Sequence, residues 1–123
     1  MKKLVAKIER PEAFSFLKEI DRNFDELWFC RGDLGAQAGI ASLAALQHEF
    51  IRTSTGLGLE SMLAGQVLEY ITHFPEPIRA EVVQICDALA SGFRGIILSD
   101  ETAVGKHPEQ VADFIDALKS EKL

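Results

Sequence analysis

The sequence predicts an α/β fold in which four strand–helix units build a parallel sheet, half of a (β/α)8 barrel. Three observations carry that expectation. Short apolar runs at 4–8, 27–30, 59–64 and 95–98 have strand length, and each is followed by apolar residues at helical spacing. The runs are apolar enough to be covered on both faces, as in parallel sheets whose crossovers are right-handed helices. An eight-stranded barrel takes about 250 residues, and 123 are present.

The first helix is expected to begin near Pro11, a residue tolerated in a first turn, and to bury Phe14, Leu17 and Ile20. The second carries Ile40, Leu43, Leu46 or Gln47, and Phe50 on one face. The third runs from about Pro77, aligns Ile78, Val82, Ile85, Cys86 and Leu89, and stops at Gly92. The fourth opens at Pro108 and buries Val111, Phe114, Ile115 and Leu118. With no linker or low-complexity segment, one domain over 1–123 is expected. Its outer strands leave backbone groups without partners, which favours a homo-oligomer or a complementing barrel half.

Composition narrows the partners. At 47% hydrophobic and 26% charged residues the chain is too apolar to be disordered. A net charge of -6, a pI near 5.0 and scattered Lys and Arg offer no track for a phosphate backbone, so no nucleic-acid partner is expected. No run approaches the roughly 20 apolar residues of a membrane span, and the first residues lack the apolar stretch of a signal peptide. A cytoplasmic location follows as the expectation. Cys30 and Cys86 read as small buried hydrophobes, without a CxxC pair.

The chemistry concentrates on the first two strands. Alternation puts Val5, Lys7 and Glu9 on one face and Leu4, Ala6 and Ile8 on the other. Asp33 follows the next strand, and neighbouring strands lie about 4.8 Å apart, so Glu9 and Asp33 can reach one Mg2+ or Mn2+. Lys7 adds a second positive charge, and the pair suits an enolate or a transferring phosphoryl group on a small three-carbon acid. Gly32 lets backbone approach a ligand, so the amides of Gly32 and Asp33 can receive a carboxylate. A polar segment at 99–105 marks the carboxyl end of the fourth strand, where barrels hold their sites. His48, His73 and His107 sit on separate elements and read as surface, while Trp28, Phe29 and Phe114 read as core.

At these residues the chain resembles the pyruvate kinase family. The family's lysine-isoleucine-glutamate strand, ARGDLG, ATQMLES, PTRAE and LSGETAxGxxP appear as Lys7-Ile8-Glu9, Cys30-Arg31-Gly32-Asp33-Leu34-Gly35, Ala64-Gly65-Gln66-Val67-Leu68-Glu69, Pro77-Ile78-Arg79-Ala80-Glu81 and a last motif running from Leu98 to Pro108. The resemblance implies strands five to eight of the catalytic barrel and a glycolytic transferase, a kinase acting on phosphoenolpyruvate/pyruvate and ADP. It implies that Lys7 contacts the phosphoryl group and enolate. Glu9 and Asp33 would ligate Mg2+ or Mn2+, and Gly32 and Asp33 would hold the substrate carboxylate. Arg31, Ser99 and Glu101 would support the site. The family threonine linked to proton transfer is Gly65 here, and Asp100 stands where the family has glycine. The family's K+ site, first barrel half, lid and C-terminal domain have no counterpart in the matched motifs, so the isolated chain is expected to be inactive.

Overall fold

The computed structural model describes residues 2–99 and 105–121. Strands β1 (Val5–Ile8), β2 (Glu26–Cys30), β3 (Glu60–Ala64) and β4 (Gly95–Ile97) form one parallel sheet in chain order. The register lines up Lys7 with Trp28, Trp28 with Met62, and Met62 with Gly95. These four therefore share one face of the sheet.

Each strand returns through helical structure. A 3-10 helix (Pro11–Phe16) and α1 (Leu17–Asp21) follow β1. After β2 come α2 (Arg31–Ala38), a 3-10 turn (Ile40–Ser42) and the long α3 (Leu43–Leu57). A 3-10 helix (Glu69–Thr72) and α4 (Arg79–Ser91) follow β3, and α5 (Pro108–Lys119) follows β4.

Helices cover the opposite face. Ile8, Leu27, Phe29 and Leu63 point into it and are at most 1% exposed. They meet Leu17, Phe50, Ile85 and Val111 from the helices. At its centre the rings of Phe14, Phe29, Phe50 and Phe93 lie 5.0 to 6.5 Å apart in tilted, edge and stacked pairs. That spacing is the favourable range for aromatic clusters.

The structure corrects several local expectations. Arg31-Gly32-Asp33 is the first turn of α2, following β2 with no intervening loop. Gly39 at φ 90 breaks the backbone between α2 and the next turn, so Ile40 starts a 3-10 turn and is 83% exposed instead of buried. Ile78 is the extended residue before α4 and is exposed. Its amide donates to Glu81 Oε2 at 3.3 Å, while Glu81 Oε1 accepts from the Tyr70 amide at 2.9 Å. Glu81 thus ties the start of α4 to the preceding 3-10 helix. Cys86 is half-buried. Trp28 belongs to the uncovered face and only Phe29 to the core.

At the amino end of the sheet Glu26 is buried. It accepts from Trp28 Nε1 at 2.6 Å and pairs with Lys3 Nζ at 2.7 Å. Lys3 holds its carboxyl below the usual range, with Trp28 adding to the effect against burial.

Candidate active site

An open cleft of about 280 Å3 lies at the carboxyl end of the strands. Alternation brings Lys7, Trp28, Cys30, Ala64 and Ile97 to it from four strands. Gly32 and Asp33 enter from the first turn of α2, Gly65 from the end of β3, and Leu98 and Ser99 from the end of β4. Four of the five residues singled out from sequence, Lys7, Gly32, Asp33 and Gly65, therefore line one cleft. Glu9 is not part of the lining. Its Oε1 instead pairs with Lys7 Nζ at 2.8 Å.

Lys7 is held firmly in its charged form. The bond to Glu9 raises its pKa most, the Glu9 charge adds to it, and the Asp33 charge adds a smaller part. Glu9 and Asp33 thus act on one ammonium from two different elements. Gly32 has open space where a side chain would begin, so a ligand can approach the backbone of α2. The first amides of a helix have no acceptor within it and form its positive end, which suits an anion.

Gly65 is the second place where the absence of a side chain shapes the cleft. Its φ is +94, and a Cβ would stand 3.1 Å from the backbone nitrogens of both Arg31 and Gly32. Arg31 Nε and Nη2 both donate to the Gly65 carbonyl, at 2.9 and 2.6 Å. Burial lowers the Arg31 pKa, its bonding partner being a neutral oxygen. Gln66 and Leu68 continue in the left-handed region at φ 55 and 56. The β3–α4 connection is therefore a tightly bent segment clamped by Arg31. Ser99 Oγ donates to Glu69 Oε2 at 3.3 Å, joining that connection to the end of β4. Asp100 and Glu101 lie outside the described residues.

Cys30 contributes bulk, not reactivity. Burial pushes its thiol up to about 11, and the Sγ donates weakly to the Trp28 carbonyl at 3.6 Å. A protonated thiol is a poor metal ligand and a poor nucleophile. Among the described residues no group of three or more His, Cys, Asp or Glu gathers around a common point. The carboxylates of Glu9 and Asp33 both act on the Lys7 ammonium. Hard oxygens of this kind fit Mg2+ or Mn2+, with water or ligand oxygens completing the shell. Trp28 was hidden by its apolarity, and its signal is parity with Lys7 across the β1–β2 register.

Residues 1–112 match the family model described as pyruvate kinase, barrel domain. The pyruvate kinase of Buchnera aphidicola subsp. Baizongia pistaciae is 40% identical over 109 residues, 86% of this chain and 23% of that protein. The pyruvate kinase of Thermotoga maritima is 35% identical over 118 residues, 96% of this chain and 25% of that protein. The crystal structure of a pyruvate kinase from Cryptosporidium parvum superposes with a TM-score of 0.86 at 28% identity, covering 94% of this chain and 24% of that one. The chain thus spans about a quarter of the length of the relatives it matches.

Proposed function

The chain belongs to the pyruvate kinase family, and from that premise we propose that it is the second half of the catalytic barrel, strands five to eight, of a phosphoenolpyruvate- and ADP-dependent phosphotransferase. In this reading residues 1–123 form one partial barrel domain. The supporting observation is the convergence of Lys7, Gly32, Asp33 and Gly65 on one cleft at the carboxyl ends of the strands, where barrel sites are built.

The roles follow from charge and position. Lys7 places a full positive charge against the transferring phosphoryl group and the enolate oxygen, a preorganised electrostatic contribution that needs no rearrangement at the moment of reaction. The amides of Gly32 and Asp33, at the positive end of α2, orient the substrate carboxylate. Glu9 and Asp33 would hold Mg2+ or Mn2+. When bound, that ion supplies Lewis-acid polarisation of the substrate oxygens. Gly65 lines the substrate pocket but offers no hydroxyl for proton delivery to the methylene carbon, so that step relies on water. The same reading places the protein in the cytoplasm. It also requires the four strands of a first barrel half, which in the family carry the K+ site.

A second reading, a non-catalytic unit binding metal and keto acid, is favoured by one observation. Gly65 stands where the family has threonine, in a backbone conformation that a threonine fits poorly. A coupled assay with phosphoenolpyruvate, ADP, Mg2+ and K+ separates the two. The isolated chain is expected to show no turnover, and addition of a complementing first half is expected to restore it. Failure to restore turnover favours the second reading. Calorimetric titration with Mn2+ and oxalate, an enolate mimic, tests the site itself. Binding is expected, and is expected to disappear in Lys7→Ala and Asp33→Ala. Absence of binding by the unaltered chain overturns both readings.

A further inference from the structure

The pairing of β2 with β3 ends at Cys30 and Ala64. Immediately beyond, the two strands become opposite walls of the cleft. Arg31 opens α2, which carries Gly32 and Asp33, and Gly65 leaves β3 at φ +94. Strand pairing therefore stops just before Gly32, Asp33 and Gly65. One side chain carries the connection further, because Arg31 Nε and Nη2 donate to the Gly65 carbonyl at 2.9 and 2.6 Å. Resting on the anion seat proposed above for the amides of Gly32 and Asp33, we infer that Arg31 is a positioning residue: its fork on the Gly65 carbonyl takes over where the strand pairing ends and fixes the spacing between the α2 wall and the β3 wall of the cleft.

The surroundings of Arg31 favour geometry over cohesion. A Cβ on Gly65 would stand 3.1 Å from the nitrogens of both Arg31 and Gly32, so the two walls meet backbone to backbone and small shifts of either are felt by the other. The half-buried guanidinium also lines a second hollow behind the cleft with Gln66, Glu81 and Gln84. Glu81 gives its two oxygens to the amides of Tyr70 and Ile78, and among the described residues no carboxylate lies within ion-pair range of Arg31. A cation placed on a neutral oxygen bears the cost of burial without the return of an ion pair. What the arrangement does supply is direction: two nitrogens of a rigid plane on one oxygen fix both distance and angle, whereas an ammonium makes a point contact. Arg31→Met removes the fork and the cost of burying a charge together, in a side chain of similar reach, so the fold is little affected while the walls lose their tie. Arg31→Lys keeps the charge and loses the fork.

The test compares the full chain with these two variants. Wall contact is read by nuclear Overhauser cross-peaks from the Gly65 α-protons to the amides of Arg31 and Gly32. Oxalate affinity, with a chelator and no added metal, is read by the fluorescence of Trp28, the one tryptophan, which lines the cleft. Stability is read by the urea midpoint. In Arg31→Met the cross-peaks are expected to be lost and oxalate to bind about tenfold more weakly, the equivalent of one hydrogen bond left misaligned, with the urea midpoint close to that of the unaltered chain. Arg31→Lys is expected to fail in the same way. Cross-peaks retained in Arg31→Met overturn the inference, as does unchanged oxalate affinity once they are lost, and both leave the anion seat standing. A lowered midpoint in Arg31→Met with affinity restored in Arg31→Lys also overturns it, because the charge would then serve the fold alone. If the unaltered chain shows the cross-peaks and binds no oxalate, the anion seat and the positioning role fall together.

Discussion

The two faces of the sheet differ more than the neighbouring elements of either face do. On the helix-covered side Ile8, Leu27, Phe29 and Leu63 are sealed beneath a four-ring aromatic cluster. On the other side Lys7, Trp28, Met62 and Gly95 follow the same register but remain open. The strands thus send alternate residues to two tasks. One set supplies cohesion, and the other supplies charge, access and a floor for the cleft. If that division is real, substitutions of opposite parity on one strand should affect different observables.

The largest effect should come from the sealed side. Phe50 is fully buried and contacts Phe14, Phe29 and Phe93. Phe50→Ala is expected to cost about 3–5 kcal/mol of unfolding free energy, transfer and cavity contributions together, read as a lower midpoint in urea. A cost below about 1 kcal/mol would show that this face is not what holds the fold.

Gly65→Thr tests the boundary between the faces. A Cβ at φ +94 would crowd the amides of Arg31 and Gly32 at 3.1 Å, and a β-branched residue is especially unsuited to that conformation. The expected cost is about 1–3 kcal/mol, with weaker oxalate binding as the Arg31 clamp shifts. Restored stability together with tighter binding would show that the loop readily adopts another backbone.

The amino end of the sheet supplies a pH signature. The Glu26 carboxyl is held below its ordinary value of 4.5, first by Lys3 and then by Trp28. Its contribution to stability is therefore present above that value and lost as pH falls through the depressed folded one. Lys3 is raised above 10.5 by the same pair. Its contribution is present below 10.5 and lost as pH rises through the folded value. Glu26→Gln is expected to flatten the acid limb of a stability–pH curve and to cost about 1–2 kcal/mol at pH 7, since a buried charged acceptor is lost. An unchanged acid limb would locate the pH sensitivity elsewhere.

The same alternation explains what the sequence could disclose. All four strands are legible because each is a short, mostly apolar run of strand length, and each run ends within one or two residues of the strand observed. Lys7, Asp33 and Gly32 are legible because charged residues and glycines stand out at strand ends. What stays hidden is set by residues far away in sequence. Trp28 reads as core until the register pairs it with Lys7. Ile40 reads as core until Gly39 breaks the helical phase. The partner chosen by Glu9 is invisible because spacing alone permits either Lys7 or a cation.

The smallest stability effect should come from the open side. Asp33 is exposed and lies in the first turn of α2, where a carboxylate complements the helix dipole by about 0.3–1 kcal/mol. Asp33→Asn keeps the shape and a side-chain oxygen, so unfolding free energy should fall by no more than about 1 kcal/mol. Its effect on cation binding should be far larger, because the neutral amide offers a much weaker ligand for a hard dication. Measured together, a near-silent stability curve and a lost Mn2+ isotherm would assign this position wholly to the cleft. A destabilisation approaching that of Phe50→Ala would mean that the open face also carries the fold, and parity along the strands would no longer separate cohesion from chemistry.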